Sequence, residues 1–394
     1  MSIAVYGGCF NPPHLGHRAA ARSARETLKP EKLLVLPDRE PPHKEQAKGE
    51  PTPEERLELC RLTFQGLEGV EVSDLSLRRP GPSYMSDTLR LLQEQYPGQE
   101  LILILGADML PGIERWHEAE EVLHRCSLAI LTRDGVGERE LEPQARLLRQ
   151  KYGTRVRFLP NPPVAVSSAR LRCLLPHRQG WELLDGEVYA RIVQHRWYET
   201  QVSLPWLRSR VETMLKRSRI AHVKGCEKAA ARLAEVWGED PEKAMEAAIM
   251  HDMTKRWGPE EQIEYCRSQG IPLGEAEERS PQVLHAITGA AEAKRLFGAS
   301  DEVCSAIRWH TTGKPDMSLL EQIVYLADVT EETRDFPGVE DLRRESLRNI
   351  EKAMAMAARS CVRELERKQT YIHPDTIRAY RWYAGDENKE ESTC

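Results

Sequence analysis

What most constrains this chain is a change of rhythm near residue 200. Before it, short apolar runs alternate with amphipathic stretches; after it, one helical period follows another with no convincing strand. Such a switch predicts two domains, a Rossmann-like α/β parallel sheet followed by an all-α helical bundle. A length of 394 residues also exceeds what one ordinary core organises. We place the first domain at 1–198, a linker at 199–204, the second domain at 205–385 and a polar, disordered tail at 386–394.

The first half is organised around Gly7-Gly8-Cys9-Phe10-Asn11-Pro12-Pro13-His14-Leu15-Gly16-His17, which follows the apolar run Ile3-Ala4-Val5-Tyr6. The pattern is strand, glycine turn, helix. Glycines allow close backbone approach, and prolines start a helix whose free N–H groups attract an anion. His14 and His17, three apart, would share a face and reach one phosphate; the plainer alternative is two surface histidines on a turn. Further strands are expected at Lys32–Pro37, Val70–Val72, Leu101–Leu105, Leu128–Leu131 and Val156–Leu159, and a helix at Pro53–Phe64. Ligands bind beyond the carboxyl ends of such strands, so Asp108, Lys44 and the glycine turn should converge. Ser167 and Ser168 sit where a helix N-cap is expected, with Arg172 a permanent cation beyond them. Gly180 to Tyr198 reads as the domain's closing helix.

Together these motifs resemble bacterial nicotinate-nucleotide adenylyltransferase, of the nucleotidyltransferase superfamily marked by His-x-Gly-His and a later Ser-Ser-x-x-x-Arg. The resemblance also covers Pro41-Pro42-His43-Lys44, Val72-Ser73-Asp74, Gly81-Pro82-Ser83-Tyr84, Asp87-Thr88-Leu89, Gly106-Ala107-Asp108 and Trp116. It implies adenylyl transfer from ATP, accompanied by Mg2+, to nicotinate mononucleotide. His14, His17, Lys44, Ser168 and Arg172 would then serve the phosphates. Gly7, Gly8, Phe10, Asn11, Gly16, Tyr84, Gly106, Asp108, Trp116 and Ser167 would line the substrates. Met85 and His117 depart from the family's usual residues near the pyridine ring, which leaves acid-versus-amide preference open.

In the second half, helices are expected at Val211–Ile220, Cys226–Trp237, Pro241–His251, Pro259–Ser268, Ser300–His310, Leu319–Val329 and Leu342–Arg367. Along them lie His222, His251-Asp252, His285, His310 and Asp328, an imidazole and carboxylate set suited to a transition metal or zinc and not to calcium. Lys255 follows Asp252 by three residues, on one face, where an ammonium can meet a substrate phosphate. These residues, with Arg308-Trp309-His310-Thr311-Thr312-Gly313, Asp335-Phe336-Pro337-Gly338 and Ile372-His373-Pro374-Asp375-Thr376, resemble the HD superfamily and its YqeK-type symmetrical bis(5'-nucleosyl)-tetraphosphatases. The resemblance implies a dinuclear centre, expected to hold iron. One ion would take His222, His251, Asp252 and Asp328; the other would take His285 and His310, with Asp252 shared and catalytic alongside Lys255. The implied reaction cleaves diadenosine tetraphosphate to two ADP. The ligand set itself does not separate this from broader nucleotide hydrolysis or nucleotide sensing.

A net charge of -6 without a long basic tract argues against nucleic acid or membrane partners. Nine cysteines without Cys-x-x-Cys spacing point to reduced thiols in a cytoplasmic protein, and none is read as a metal ligand. Oligomeric state is not encoded legibly.

Overall fold

The structure is a computed structural model that describes residues 1–41, 49–132, 138–160, 164 and 166–385. Lys44 and the tail at 386–394 lie outside the described residues. The chain divides into two compact units, Met1–Gln201 and Val202–Cys394.

In the first unit, six strands form one parallel sheet: β1 (Ser2–Gly8), β2 (Lys32–Pro37), β3 (Val70–Val72), β4 (Glu100–Gly106), β5 (Cys126–Leu131) and β6 (Val156–Leu159). Their order is β3-β2-β1-β4-β5-β6. The helices are α1 (Leu15–Leu28), α2 (Pro53–Phe64), α3 (Met85–Gln95), α4 (Ala119–Arg125), α5 (Glu138–Tyr152), α6 (Ser168–Leu174) and α7 (Gly186–His195). Because side chains alternate along a strand, Ile3, Val5, Leu101, Leu103 and Leu128 face one layer with Leu89 and Val122. Ala4, Leu33, Val35, Ile102 and Ile104 face the other, with Ala20, Ala21 and Ala24 of α1 and Phe64 of α2. Helices therefore cover both faces, which is why these strands read as continuous apolar runs. Strand order reverses between β1 and β4, so a crevice opens at their carboxyl ends.

Local chemistry moves two expected boundaries here and holds a third, the start of α2, where it was expected. Helix α1 begins after the prolines, at Leu15, because the extended His14 caps it. Thr52 and Glu55 form a reciprocal capping box that fixes the start of α2. The expected closing helix from Gly180 to Tyr198 is instead three pieces, a 3-10 turn at Trp181–Leu183, α7 capped by Asp185, and a 3-10 turn at Trp197–Glu199.

The second unit is helical, with no strand among its described residues. It contains α8 (Leu204–Glu212), α9 (Arg217–Trp237), α10 (Pro241–Met250), α11 (Pro259–Ser268), α12 (Glu275–Glu278), α13 (Leu284–Phe297), α14 (Asp301–Trp309), α15 (Leu319–Thr330), α16 (Val339–Ser346), α17 (Ile350–Arg367) and α18 (Pro374–Ala384). Helix α9 packs on α10 and α15, and α14 packs on α13, α15 and α10. The expected Val211–Ile220 helix spans the break between α8 and α9. The expected Leu342–Arg367 helix is divided where Asn349 caps α17. Three helices, α12, α13 and α18, lie outside the expected ones.

Candidate active sites, one in each unit

The first site grows from the end of β1. His14 caps α1: its Nδ1 accepts the His17 N–H at 3.3 Å, while the His17 Nδ1 accepts the His14 N–H at 3.2 Å. The two rings stack with centroids 3.6 Å apart. Because each Nδ1 accepts, the neutral ring carries its proton on Nε2. Two ring donors and a helix N-terminus with no acidic residue in its first turn make a place for phosphate oxygens. Gly16 is required by packing, since a Cβ there would meet Val166 Cγ1 at 2.9 Å and His14 Nδ1 at 3.0 Å. Phe10 is buried and sets its ring edge-on to His17, 4.9 Å away.

Ser167 and Ser168 divide two tasks. Ser167 caps α6 by accepting the Arg170 N–H, and the Ser168 hydroxyl donates to the Pro12 carbonyl at 2.9 Å. Arg172 donates to the Asn11 carbonyl at 2.6 Å. The serine and arginine motif thus latches onto the glycine loop, 156 residues away in sequence for Ser168 and Pro12. Gly7 leaves room for Met85, whose Cε a Cβ would meet at 2.7 Å, and Gly106 leaves room for the Asp108 carboxylate. Asp108 itself is exposed at the end of β4. Tyr84 stacks on His117 with centroids 4.1 Å apart, whereas Trp116 packs partly buried against the sheet's core.

In the second unit, α9 supplies His222, the end of α10 supplies His251, the following turn supplies Asp252, and α13, α14 and α15 supply His285, His310 and Asp328. Asp252 is buried and turned between two imidazole pairs. Its Oδ2 lies 3.5 Å from His251 Nε2 and 3.8 Å from His222 Nε2. Its Oδ1 lies 3.2 Å from His285 Nε2 and 3.9 Å from His310 Nε2. Asp328 Oδ1 is 3.0 Å from His222 Nε2, and the His285 and His310 Nε2 atoms are 3.1 Å apart.

The donor set fits divalent metal. His251 and His310 each direct Nδ1 to a backbone carbonyl at 2.7 Å, those of Ala248 and Ile307, and His222 directs Nδ1 to Glu331 at 3.0 Å. Such outer bonds fix the tautomer and leave Nε2 lone pairs aimed inward. Asp252 Oδ1 is buried without a hydrogen bond, the Lys255 ammonium standing 3.5 Å away, and a metal ion at closer range would satisfy it. Burial, with His251 nearby, holds His310 well below the usual histidine range, and burial also lowers His285. Neutral imidazoles are the form that binds metal. Burial would raise Asp252 and Asp328, but the facing histidines, with Lys255 and Arg334 respectively, keep both ionised. Lys255 reaches His285 Nε2 at 2.9 Å and Asp252 Oδ1 at 3.5 Å; Arg334 reaches Asp328 Oδ1 at 2.5 Å; Arg219 also pairs with Asp252.

Several contributors escaped sequence reading. Glu331, which caps the end of α15 three residues beyond Asp328, turns its carboxylate to the same histidine, His222. Gly225 makes Glu331's approach feasible, since a Cβ there would sit 2.3 Å from its Oε2. Cys226, one turn after His222, brings its sulfur to 3.4 Å from His222 Nε2. Burial and the nearby Asp328 raise this thiol well above its usual range, so it remains protonated. A third His and acid group, Glu277, His373 and Asp375, reads differently: His373 Nδ1 accepts the Asp375 N–H at 3.2 Å and caps α18. Its proton is consequently on Nε2, the wrong state for a ligand.

Comparison with known proteins matches this division. Residues 5–174 match the Cytidylyltransferase-like family and residues 219–333 the HD domain. Proteins named "Probable nicotinate-nucleotide adenylyltransferase" are 37% identical over 195 residues in Gloeobacter violaceus and 40% identical over 202 residues in Symbiobacterium thermophilum. These alignments cover 49% and 50% of this chain and 94% of each relative. The "Bis(5'-nucleosyl)-tetraphosphatase, symmetrical" of Bacillus subtilis is 35% identical over 173 residues, 44% of this chain and 92% of that protein. The chain belongs to both families. Its adenylyltransferase half carries the stacked histidines and its HD half carries the buried histidine and aspartate centre. The HD family implies divalent metal, and all the metal-competent side-chain groups found among the described residues lie in the HD half. No helix among the described residues is long and apolar enough to cross a membrane.

Proposed function

We propose that the chain is a bifunctional enzyme. The first unit transfers the adenylyl group of MgATP to nicotinate mononucleotide, and the second hydrolyses diadenosine tetraphosphate symmetrically. In the transfer, a phosphate oxygen of the mononucleotide attacks the α-phosphorus of ATP, the bond to the β-phosphate oxygen breaks, and deamido-NAD and pyrophosphate leave. No covalent enzyme intermediate is needed, so position and charge supply the rate. His14 and His17 donate from Nε2 to the triphosphate, Ser168 and Arg172 hold the loop and reach its outer phosphates, and Asp108 faces the nucleotide from β4. Lys44 is assigned to the same phosphates from sequence alone. The relatives' names and the capped, stacked histidine pair support this reading.

In the hydrolysis one water is consumed and two ADP are formed. The observation that carries this half is the buried Asp252, whose two oxygens face separate imidazole pairs. His222, His251, Asp252 and Asp328 would hold one ion and His285, His310 and the shared Asp252 the other, with iron our assignment for both. Bound metal supplies charge neutralisation and an activated water at neutral pH. Lys255 and Arg334, now paired with the carboxylates, turn to the polyphosphate as it arrives and offset its charge.

The test is product chromatography. Purified protein given MgATP and nicotinate mononucleotide yields deamido-NAD, and given diadenosine tetraphosphate with ferrous iron yields ADP alone. AMP plus ATP would refute symmetrical cleavage. Faster turnover of nicotinamide mononucleotide would reassign the first substrate.

A further inference from the structure

Asn11, three residues before His14, is held from three distant places. Its amide nitrogen donates to Glu50 Oε2 at 2.9 Å, its amide oxygen accepts from the Tyr198 hydroxyl at 2.5 Å, and its carbonyl accepts from Arg172. Glu50 cannot donate as a carboxylate, so the amide orientation is determined by its chemistry. Arg172 Nε also lies 3.6 Å from Glu50 Oε1, closing the network.

Tyr198 takes an unusual backbone conformation to reach this place. Its φ is 59° and ψ 27°, in the left-handed region that disfavours a bulky side chain, and Arg196 and Glu199 beside it also have positive φ. Such a conformation persists only where the surroundings impose it. The ring is buried, its N–H donates to the Gly49 carbonyl at 2.9 Å, and its hydroxyl is delivered to Asn11. Packing alone would need only a phenylalanine. Tyr198 also lies beyond residues 5–174, the segment that matches the nucleotidyltransferase family.

We propose that Tyr198 is a positioning residue for adenylyl transfer, acting through the Asn11 side chain on the loop that carries His14 and His17. The inference rests on the reading that this loop receives the triphosphate. Its consequence is that the last turn of the first unit, three residues before that unit ends at Gln201, sets the geometry of a loop at the other end of the sequence.

The experiment uses the full-length protein and steady-state kinetics with MgATP and nicotinate mononucleotide. Tyr198→Phe removes one oxygen and keeps the ring. We expect kcat to fall about 10–100-fold, the range a misplaced reacting group costs, with the KM for nicotinate mononucleotide and the thermal midpoint little changed. In a double-mutant cycle, Tyr198→Phe has no further effect once Asn11→Ala is present. Unchanged kcat in Tyr198→Phe, additive effects in the cycle, or a fall explained by a lower thermal midpoint would overturn the inference. His17→Ala runs alongside: if it leaves transfer intact, the reading of the loop itself fails. If it abolishes transfer while Tyr198→Phe matches wild type, only the positioning role fails.

Discussion

In the first unit, the site is held by backbone: histidine caps on α1, a serine hydroxyl on the Pro12 carbonyl and an arginine on the Asn11 carbonyl. In the second, side chains from five helices meet around the buried Asp252 and the half-buried Asp328, and almost every contact joins one side chain to another. The first arrangement suits a substrate that brings its own charge and metal, because the protein offers donors and no cluster of anions. The second gathers carboxylates and imidazoles at a cost in desolvation that Lys255, Arg219 and Arg334 offset in part and a bound metal would offset further. The first site is thus held by contacts within the protein, and the second leaves charge that a bound cation would balance.

Breaking the buried centre should have the largest effect. Asp252→Ala is expected to lower hydrolysis of diadenosine tetraphosphate more than about 10³-fold, as loss of a member of a catalytic unit does, while deamido-NAD synthesis stays within twofold of wild type in the same preparation. A smaller change sharpens the comparison. Glu331→Gln removes the anion that fixes the His222 ring and should weaken metal affinity by about 10–100-fold, read by competition with a chromogenic chelator. No equivalent outer carboxylate is expected to matter for MgATP binding.

Acid distinguishes the two regions as well. His285 and His310 are held below the ordinary histidine value of about 6.5, so on unfolding they take up protons that the folded state excludes. Their contribution to stability is present above that value and is lost as the pH falls below it. His251 is raised: burial opposes its charge, but Asp252 and Asp328 outweigh burial, so its contribution runs the other way and is lost as pH rises. His310 is displaced furthest of the three, so the balance is a net loss on acidification. Urea midpoints of metal-free protein should thus be lower at pH 5 than at pH 7.5, and added metal should raise the midpoint at pH 7.5 and leave that at pH 5 nearly unchanged, widening the gap, because binding requires unprotonated imidazoles. The smallest effect is steric: Gly16→Ala should cost about 1–3 kcal/mol by overpacking, seen as a lower midpoint for the first unit's transition alone.

Much of this was legible in the residues. The strands of the first unit announce themselves because both faces are covered, so Leu101 to Leu105 is apolar throughout, and the glycine loop lies contiguous in sequence. The imidazole and carboxylate set is legible by type, though its convergence from five helices is not. Glu331 and Gly225 stayed hidden because an acid on a helix and a small residue under it look ordinary until folding apposes them. The break between α8 and α9 was missed for a related reason, since Val211 and Ile220 continue an apolar stripe across a turn in which Met214 bonds back only three residues, to the Val211 carbonyl. Tyr198 gave no signal: a left-handed tyrosine is a consequence of tertiary contacts.

The most direct measurement is a crossed assay of both reactions in wild type, His17→Ala and Asp252→Ala, with products separated by chromatography. Two independent sites predict that His17→Ala loses deamido-NAD formation by about 10²–10³-fold and still releases ADP alone from diadenosine tetraphosphate, whereas Asp252→Ala does the reverse. Loss of both activities in either variant, or persistence of both in each, would contradict the assignment of one reaction to each unit.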